Sequence, residues 1–267
     1  MIPGRRDFLL AAAAVTTLGL KPAPRERARV TQEELNEAIR LHEMWLADIN
    51  SGQRGMFGGR DLSGLEFGAL GGPPVNLTGA DFVQSDLSGT QADDILAHHC
   101  NFNGAKFDAC RWLQPAFAFS DMRRASAKFA KWGNSTACKS TMHPQADLRH
   151  AVLTGADLTG ARICGYFYGT KLGDSALMRA DFSNSDFLGP SHYEMSFAGA
   201  NLSDAKLSDC RISSASFFRA DCSRADFSRT VFSDVRMKGC DLSGACFQEA
   251  EIEHLMLSSD QMNQANL

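Results

Sequence analysis

Eight cysteines and seven histidines are the residues of this 267-residue chain best suited to metal, redox or nucleophilic chemistry. Their spacing supports none of the three. His98, His99, His143 and His150 are separated by steps that match no metal-ligand set. Ser, Asp and His are frequent enough that a triad could be drawn in many places, and nothing singles one out. No glycine-rich loop follows a strand and opens a helix, which a phosphate cradle requires. No catalytic residue, cofactor site or metal site is expected.

The elements that carry these residues are set by a period of five. Apolar residues recur at Leu62, Phe67, Leu77, Phe82 and Leu87, then at Phe102, Phe107, Trp112, Phe117 and Met122. After a one-residue slip near His143 and Pro144, which predicts a small loop, the series resumes at Leu148, Leu153, Leu158, Ile163 and Tyr168. One residue is lost before Leu172, and the spacing then holds to the end. The count of 18 Phe against 3 Trp and 3 Tyr is a consequence of this ladder.

Two residues before each central position the side chain is small, as at Ala80, Ala105, Ala156 and Ala200. Positions two apart on extended backbone point the same way, so the small and the large residue enter one interior. Gly64, Gly79, Gly89, Gly104, Gly155 and Gly160 fall two after the centre, where a type II turn needs a positive φ. A short strand and a turn every five residues make one side of a coil. Four sides close it. Weak pentads at Gly72, Ala92 to Ala97 and Ala127 to Ala137 predict bulged or narrowed coils, with Phe129 replacing Ala127 as the inward residue.

Ala-Asp-Leu-Thr-Gly at 156–160, Ala-Asp-Phe-Ser-Asn at 180–184, Ala-Asn-Leu-Ser-Asp at 200–204 and Ala-Asp-Phe-Ser-Arg at 225–229 resemble the repeat of the pentapeptide repeat protein family. The resemblance covers roughly residues 60–267. It implies an all-β solenoid, a right-handed quadrilateral β-helix of pentapeptide repeats with an N-terminal α-helical cap. It implies little about function, because the family is diverse. Some members resemble duplex DNA and occupy topoisomerases such as DNA gyrase.

Coils of twenty residues give about ten coils and a rod of roughly 50 Å at a strand spacing of ~4.8 Å. They also sort the outward residues into columns. One column holds Asp61, Asp81, Asp121, Asp181, Asp221 and Asp241 with Asn101 and Asn201, and another holds Arg111, Lys131, Lys171 and Arg211. The acidic column is a candidate DNA-mimic face, and its magnitude argues against that role. Duplex DNA carries one charge per ~1.7 Å, hence about 30 over such a rod. The whole chain has a net charge of −4, of which residues 60–267 contribute −5, residues 30–59 contribute −3 and residues 1–29 contribute +4. Asp before the central residue is also a habit of the repeat. The basic column is offset by nearby acids, so nucleic-acid binding is not expected.

Three segments frame the reading. Residues 1–29 form an export signal and linker: Arg5, Arg6, Phe8 and Leu9 fit Arg-Arg-x-Phe-Leu ahead of an Ala-rich apolar stretch, which resembles a twin-arginine signal. That stretch is too short for a membrane span, which needs roughly 20 apolar residues. Residues 30–59 hold a helix over 31–49, opened by a Thr31/Glu34 capping box, and the loop into the repeats. Residues 60–267 are the β-helix. Its cysteines sit in inward slots, no two are twenty apart, and reduced thiols acting as small fillers are expected.

The repeat ends in phase on Ala265-Asn266-Leu267, so the last coil offers an apolar cross-section at Ile252, Leu257, Met262 and Leu267. Either a second copy, giving a homodimer through the C-terminal coils, or another protein is expected to cover it. The functional expectation is an exported, non-enzymatic scaffold in the periplasm or outside the cell, binding an unidentified protein partner through its flat faces. The alternative is a cytoplasmic DNA-mimic inhibitor of a type II topoisomerase.

Overall fold

The computed structural model describes residues 27–68, 72–133, 145–189, 195–258 and Gln261. The repeats form a parallel β-solenoid in which short strands stack in four walls. We number the walls by their outward residue just before the inward central one. The first runs Met56, Asp81, Asn101, Asp121, Val152, Lys171 and Ser196, and the second Asp61, Asp86, Lys106, Ser126, Asp157, Ala176, Asn201, Asp221 and Asp241. The third begins Glu66, Gln91, Arg111, Lys131, Arg162 and Asp181, and the fourth Asn76, Leu96, Ala116, Asp147, Tyr166, Asp186, Arg211 and Val231.

The interior is the ladder that the five-residue period predicts. Stacked rings run along it, with Phe57 on Phe82 at 4.7 Å, Phe82 on Phe102 at 4.8 Å and Phe197 on Phe217 at 4.5 Å. The small slot is buried too, and its polar occupants are satisfied by carbonyls: the hydroxyls of Thr90, Ser120 and Thr170 donate to Leu87, Ala97 and Leu148, each at 2.7 Å. Those hydroxyls are consumed by the fold and are not available as nucleophiles.

Coil length is where the chain departs from the twenty-residue expectation. Successive rungs lie 25 residues apart at Asp61 to Asp86, 31 at Asp121 to Val152, 19 at Val152 to Lys171 and 25 at Lys171 to Ser196. Nine rungs, hence eight turns, run from Asp61 to Asp241 instead of the ten coils expected, and span about 38 Å. The slip near His143 and Pro144 is an eleven-residue excess in a coil that resumes at Gln145. The deletion lies between Ile163 and Phe167, which makes Phe167 the inward residue, 1% exposed, and leaves Tyr168 outside, 37% exposed. Ala127, not Phe129, faces inward; Phe129 sits at a positive-φ corner, 65% exposed.

Ala92 and Ala97 cause no bulge, since the steps that follow them, Ala92 to Trp112 and Leu96 to Ala116, are twenty residues each. Over Ala92, Phe67 and Trp112 from the rungs on either side meet at 5.6 Å and fill the space.

Helix α1 (Gln32–Ala47) starts at the Thr31/Glu34 capping box and buries Leu35, Ile39 and His42, while Ile49 lies beyond its end and is exposed. It supplies the first coil with the partners that a preceding coil would give. The Gln32 side chain donates to the Glu66 carbonyl at 2.8 Å and accepts the Glu66 N–H at 3.0 Å, as a neighbouring strand would. Glu43 accepts the Asn76 N–H, and Arg54 donates to the Gly79 carbonyl. Gly52 lets the chain double back: a Cβ there would lie 2.1 Å from the Leu41 carbonyl oxygen.

At the other end, β1 (Val231–Arg236) pairs with β2 (Glu251–Met256), whose outer edge is the end of the ladder among the described residues. Gln261 is buried, 4% exposed, and its amide donates to the carbonyls of Met237 and Cys240.

Candidate interaction walls

The six aspartates of the candidate acidic face do not share a wall. The irregular coils place Asp81 and Asp121 on the first wall, Asp61, Asp221 and Asp241 on the second and Asp181 on the third. Each also performs a local task. One oxygen of Asp61, Asp81, Asp121, Asp181, Asp221 and Asp241 accepts the N–H two residues on, at 2.9 to 3.1 Å, closing the turn. Hydrogen bonds from Ser63, Arg123 and Ser243 hold the carboxyls of Asp61, Asp121 and Asp241 below the ordinary range. The aspartates are turn formers first, and they offer no continuous acidic strip.

The basic column is redistributed in the same way. Arg111 and Lys131 remain adjacent and gain Arg162, whereas Lys171 falls on the first wall and Arg211 on the fourth, paired with Asp186. Charges cancel between neighbouring coils at Lys106–Asp86, Arg224–Asp204 and Arg229–Asp209. The walls are therefore mixed in sign and weak in field.

The fourth wall is different. At the corner that follows it, His99, Phe119 and His150 occupy positive-φ positions in successive coils. Their rings stack at 5.0 and 4.8 Å, and Tyr168 meets His150 edge-on at 5.4 Å. Gly169 is required below them, since a Cβ there would lie 2.8 Å from the His150 ring. Phe119, Tyr166 and Tyr168 are exposed; Leu96 lies on the rung before them, Ala116 on that of Phe119, and the Asp147–Arg149 ion pair on the rung between Phe119 and Tyr166.

All three interruptions border this wall. The chain departs at Gly68 and again at Gly133, on the third wall, and returns at Gly72 and Gln145 before fourth-wall strands. It departs once more at Gly189, at the end of a fourth-wall strand, and returns at Met195 on the first. The reason is geometric. In the first half the corner before the fourth wall is an open two-residue bend, as between Arg111–Trp112 and Pro115–Ala116; in the second half the open corner is the one after it. Added chain enters where no tight turn must be broken.

Burial raises the thiols of Cys100 and Cys110 to about 12 and moves those of Cys210 and Cys222 upward as well. These agree with the filler role. The expectation of reduced thiols fails at Cys164, which is disulfide-bonded. Cys222 and Cys240 touch although they are 18 apart, because one fills a central slot and the other the small slot of the next coil. Among the described residues no cluster of His, Cys, Asp and Glu could hold a metal, and no helix is long and apolar enough to cross a membrane.

The candidate export residues Arg5, Arg6, Phe8 and Leu9 lie outside the described residues, as do Met262 and Leu267 of the candidate end interface. Ile252 is 47% exposed on the outer strand, and Leu257 is half-buried against the core.

A coil with four short walls, a turn every five residues and a Leu/Phe ladder inside defines the pentapeptide repeat class. The family model for pentapeptide repeats matches in eight copies, over residues 76–112, 134–165, 196–234 and 215–253, which supports the pentapeptide repeat reading of the chain. Among solved structures it is similar to HetL, a pentapeptide repeat protein involved in heterocyst differentiation regulation from the cyanobacterium Nostoc. Identity is 20%, over 80% of this chain and 95% of that one, with a TM-score of 0.45. It is also similar to QnrB1, a plasmid-mediated fluoroquinolone resistance protein, at 14% identity over 78% and 94% with a TM-score of 0.25. A pentapeptide repeat protein of the Arabidopsis thaliana thylakoid lumen matches at 16% over 57% and 71%, with a TM-score of 0.16. No curated protein sequence matches the chain.

Proposed function

We propose that this protein is an exported, non-enzymatic scaffold that docks a protein partner on its fourth wall. The observation that carries the reading is the coincidence on that wall of the exposed rings of Phe119, Tyr166 and Tyr168 with all three interruptions of the coil. In repeat proteins insertions concentrate on the binding side, and exposed aromatics are the side chains that anchor protein interfaces. Capture with the wild type and with a Phe119→Ser, Tyr168→Ser variant, beside a Phe218→Ser control on another wall, tests it. One protein retained by wild type and control and lost by the variant supports the reading; equal retention by all three overturns it.

Export rests on Arg5, Arg6, Phe8 and Leu9 and is supported by the Cys164 disulfide, because such bonds persist in oxidising compartments. Residues 1–35 fused to a reporter that acts only after folded export should carry it out of the cytoplasm; retention inside would return the protein there. The DNA-mimic alternative has lost its continuous acidic column to the irregular coils. The same reading includes homodimerisation through the C-terminal coil, where β2 exposes Ile252 and Met256. Light scattering of an Ile252→Glu, Met256→Glu variant should show a smaller species than the wild type.

A further inference from the structure

A cleft of about 290 Å³ lies where the lead-in, the cap helix and the first turn meet, and it is lined by residues of all three. Its lining is predominantly basic. Arg29, Arg54 and Arg60 line it, and the one carboxylate among its walls is Glu34. Glu34 is committed to the capping box, where it accepts the Thr31 N–H at 2.8 Å. Arg54 uses its Nε on the Gly79 carbonyl, and among the described residues its terminal nitrogens make no hydrogen bond.

None of the three guanidinium groups forms an ion pair among the described residues, whereas Arg27, Arg40, Arg123, Arg149, Arg211, Arg224 and Arg229 all do. The nearby Asp61 feels Arg29 but already accepts the Ser63 N–H, and Asp86 is taken by Arg27 and Lys106. Three guanidinium groups thus surround one concavity without an ion-pair contact among the described residues, against the single lining carboxylate of Glu34. Between them the lining is apolar, from Val30, Ala38, Leu41, Met56 and Phe57.

We propose that this cleft binds a small organic oxyanion, a phosphate or carboxylate group carried on a compact apolar body. Guanidinium forks match both oxyanions in geometry and charge. The apolar lining gains only if the ligand brings a hydrophobic part, so a bare inorganic anion leaves half of the site unused. The volume stands at the low end of ligand pockets, which run from ~300 Å³ upward. Because the lining comes from the lead-in, α1 and the first turn, a bound anion ties the cap to the coil and stabilises both.

Calorimetric titration of the full chain with phenyl phosphate, benzoate and inorganic phosphate tests the proposal, and the two organic arms separate the phosphate from the carboxylate source. The expected result is saturable binding of at least one organic anion, at least ~10-fold tighter than inorganic phosphate. An Arg54→Gln, Arg60→Gln variant should lose ~10-fold or more of that affinity, as removal of charge-assisted bonds does. Arg29→Gln should lose affinity as well, and an Arg123→Gln control should lose none. No saturable binding of either organic anion, inorganic phosphate binding equally well, or affinity unchanged in both cleft variants would overturn it. Far-ultraviolet circular dichroism of each variant confirms that a lost site is not a lost fold.

Discussion

Single side chains in this protein are shared between the interior and the turns, and their chemistry follows from that assignment. The thiols are the plainest case. Cys100 and Cys110, held near pKa 12 by burial, are protonated at neutral pH and closed to reagent, while Cys246 is partly exposed. Iodoacetamide should label Cys246 in the native state and reach the five buried free thiols only after denaturation. Labelling of Cys100 or Cys110 in the folded chain would contradict their placement.

His42 is the residue most exposed to pH. It is buried on the inner face of the cap helix, stacks on Trp45 and accepts the Gly55 N–H through Nδ1 at 3.0 Å, which fixes the neutral ring; among the described residues Nε2 has no hydrogen-bond partner. Burial lowers its pKa, opposed by the carbonyls of Thr78 and Leu77 and by Glu43, and assisted by Arg54. A depressed histidine makes the unfolded chain the better proton binder, so its contribution is complete above the ordinary value of about 6.5 and is lost as pH falls below it. Thermal melts at pH 8 and pH 5 should therefore differ more for the wild type than for His42→Phe, which keeps the ring but cannot be protonated. An equal difference would remove His42 from the account.

At the scale of elements, the cap helix matters because it completes another element. Gln32, Glu43 and Arg54 satisfy backbone groups that a missing coil would have paired, and an unpaired sheet end is costly. Thr31→Ala removes the capping box and should cost about 1 kcal/mol, read as a lower midpoint in urea, with amide exchange rising first at Glu66 and Asn76. Exchange that rises first at the C-terminal coil would contradict the cap's role.

The cap was legible in the sequence because Thr31 and Glu34 act within one turn of each other. The ladder was legible for the same reason, since inward and small residues are set by neighbours two apart. Phe129 is misplaced from the sequence because size outweighs phase there, whereas Tyr168 is misplaced because the five-residue phase is carried past the deletion that turns Phe167 inward.

For the whole molecule, errors of phase accumulate. Asp81, Asn101 and Asp121 do form a column, as twenty-residue spacing predicts, but the 31-residue coil puts Val152 next, and the 19- and 25-residue coils shift the columns again. A column drawn from spacing alone is valid only between irregular coils. That is why the acidic face was visible in the sequence and absent from the surface, and why the ladder of His99, Phe119 and His150, joined across steps of 20 and 31, was not visible at all. The same excess chain that breaks the columns marks the fourth wall.

Site-specific photo-crosslinking tests that wall most directly. A benzophenone side chain would be placed singly at Phe119, Tyr168, Phe129 and Phe218 in the full chain in its native cell, followed by irradiation and mass analysis. The account predicts adducts to one common protein from positions 119 and 168 and none to it from 129 and 218. Adducts from 129 or 218 alone, or the same adducts from all four positions, would contradict it.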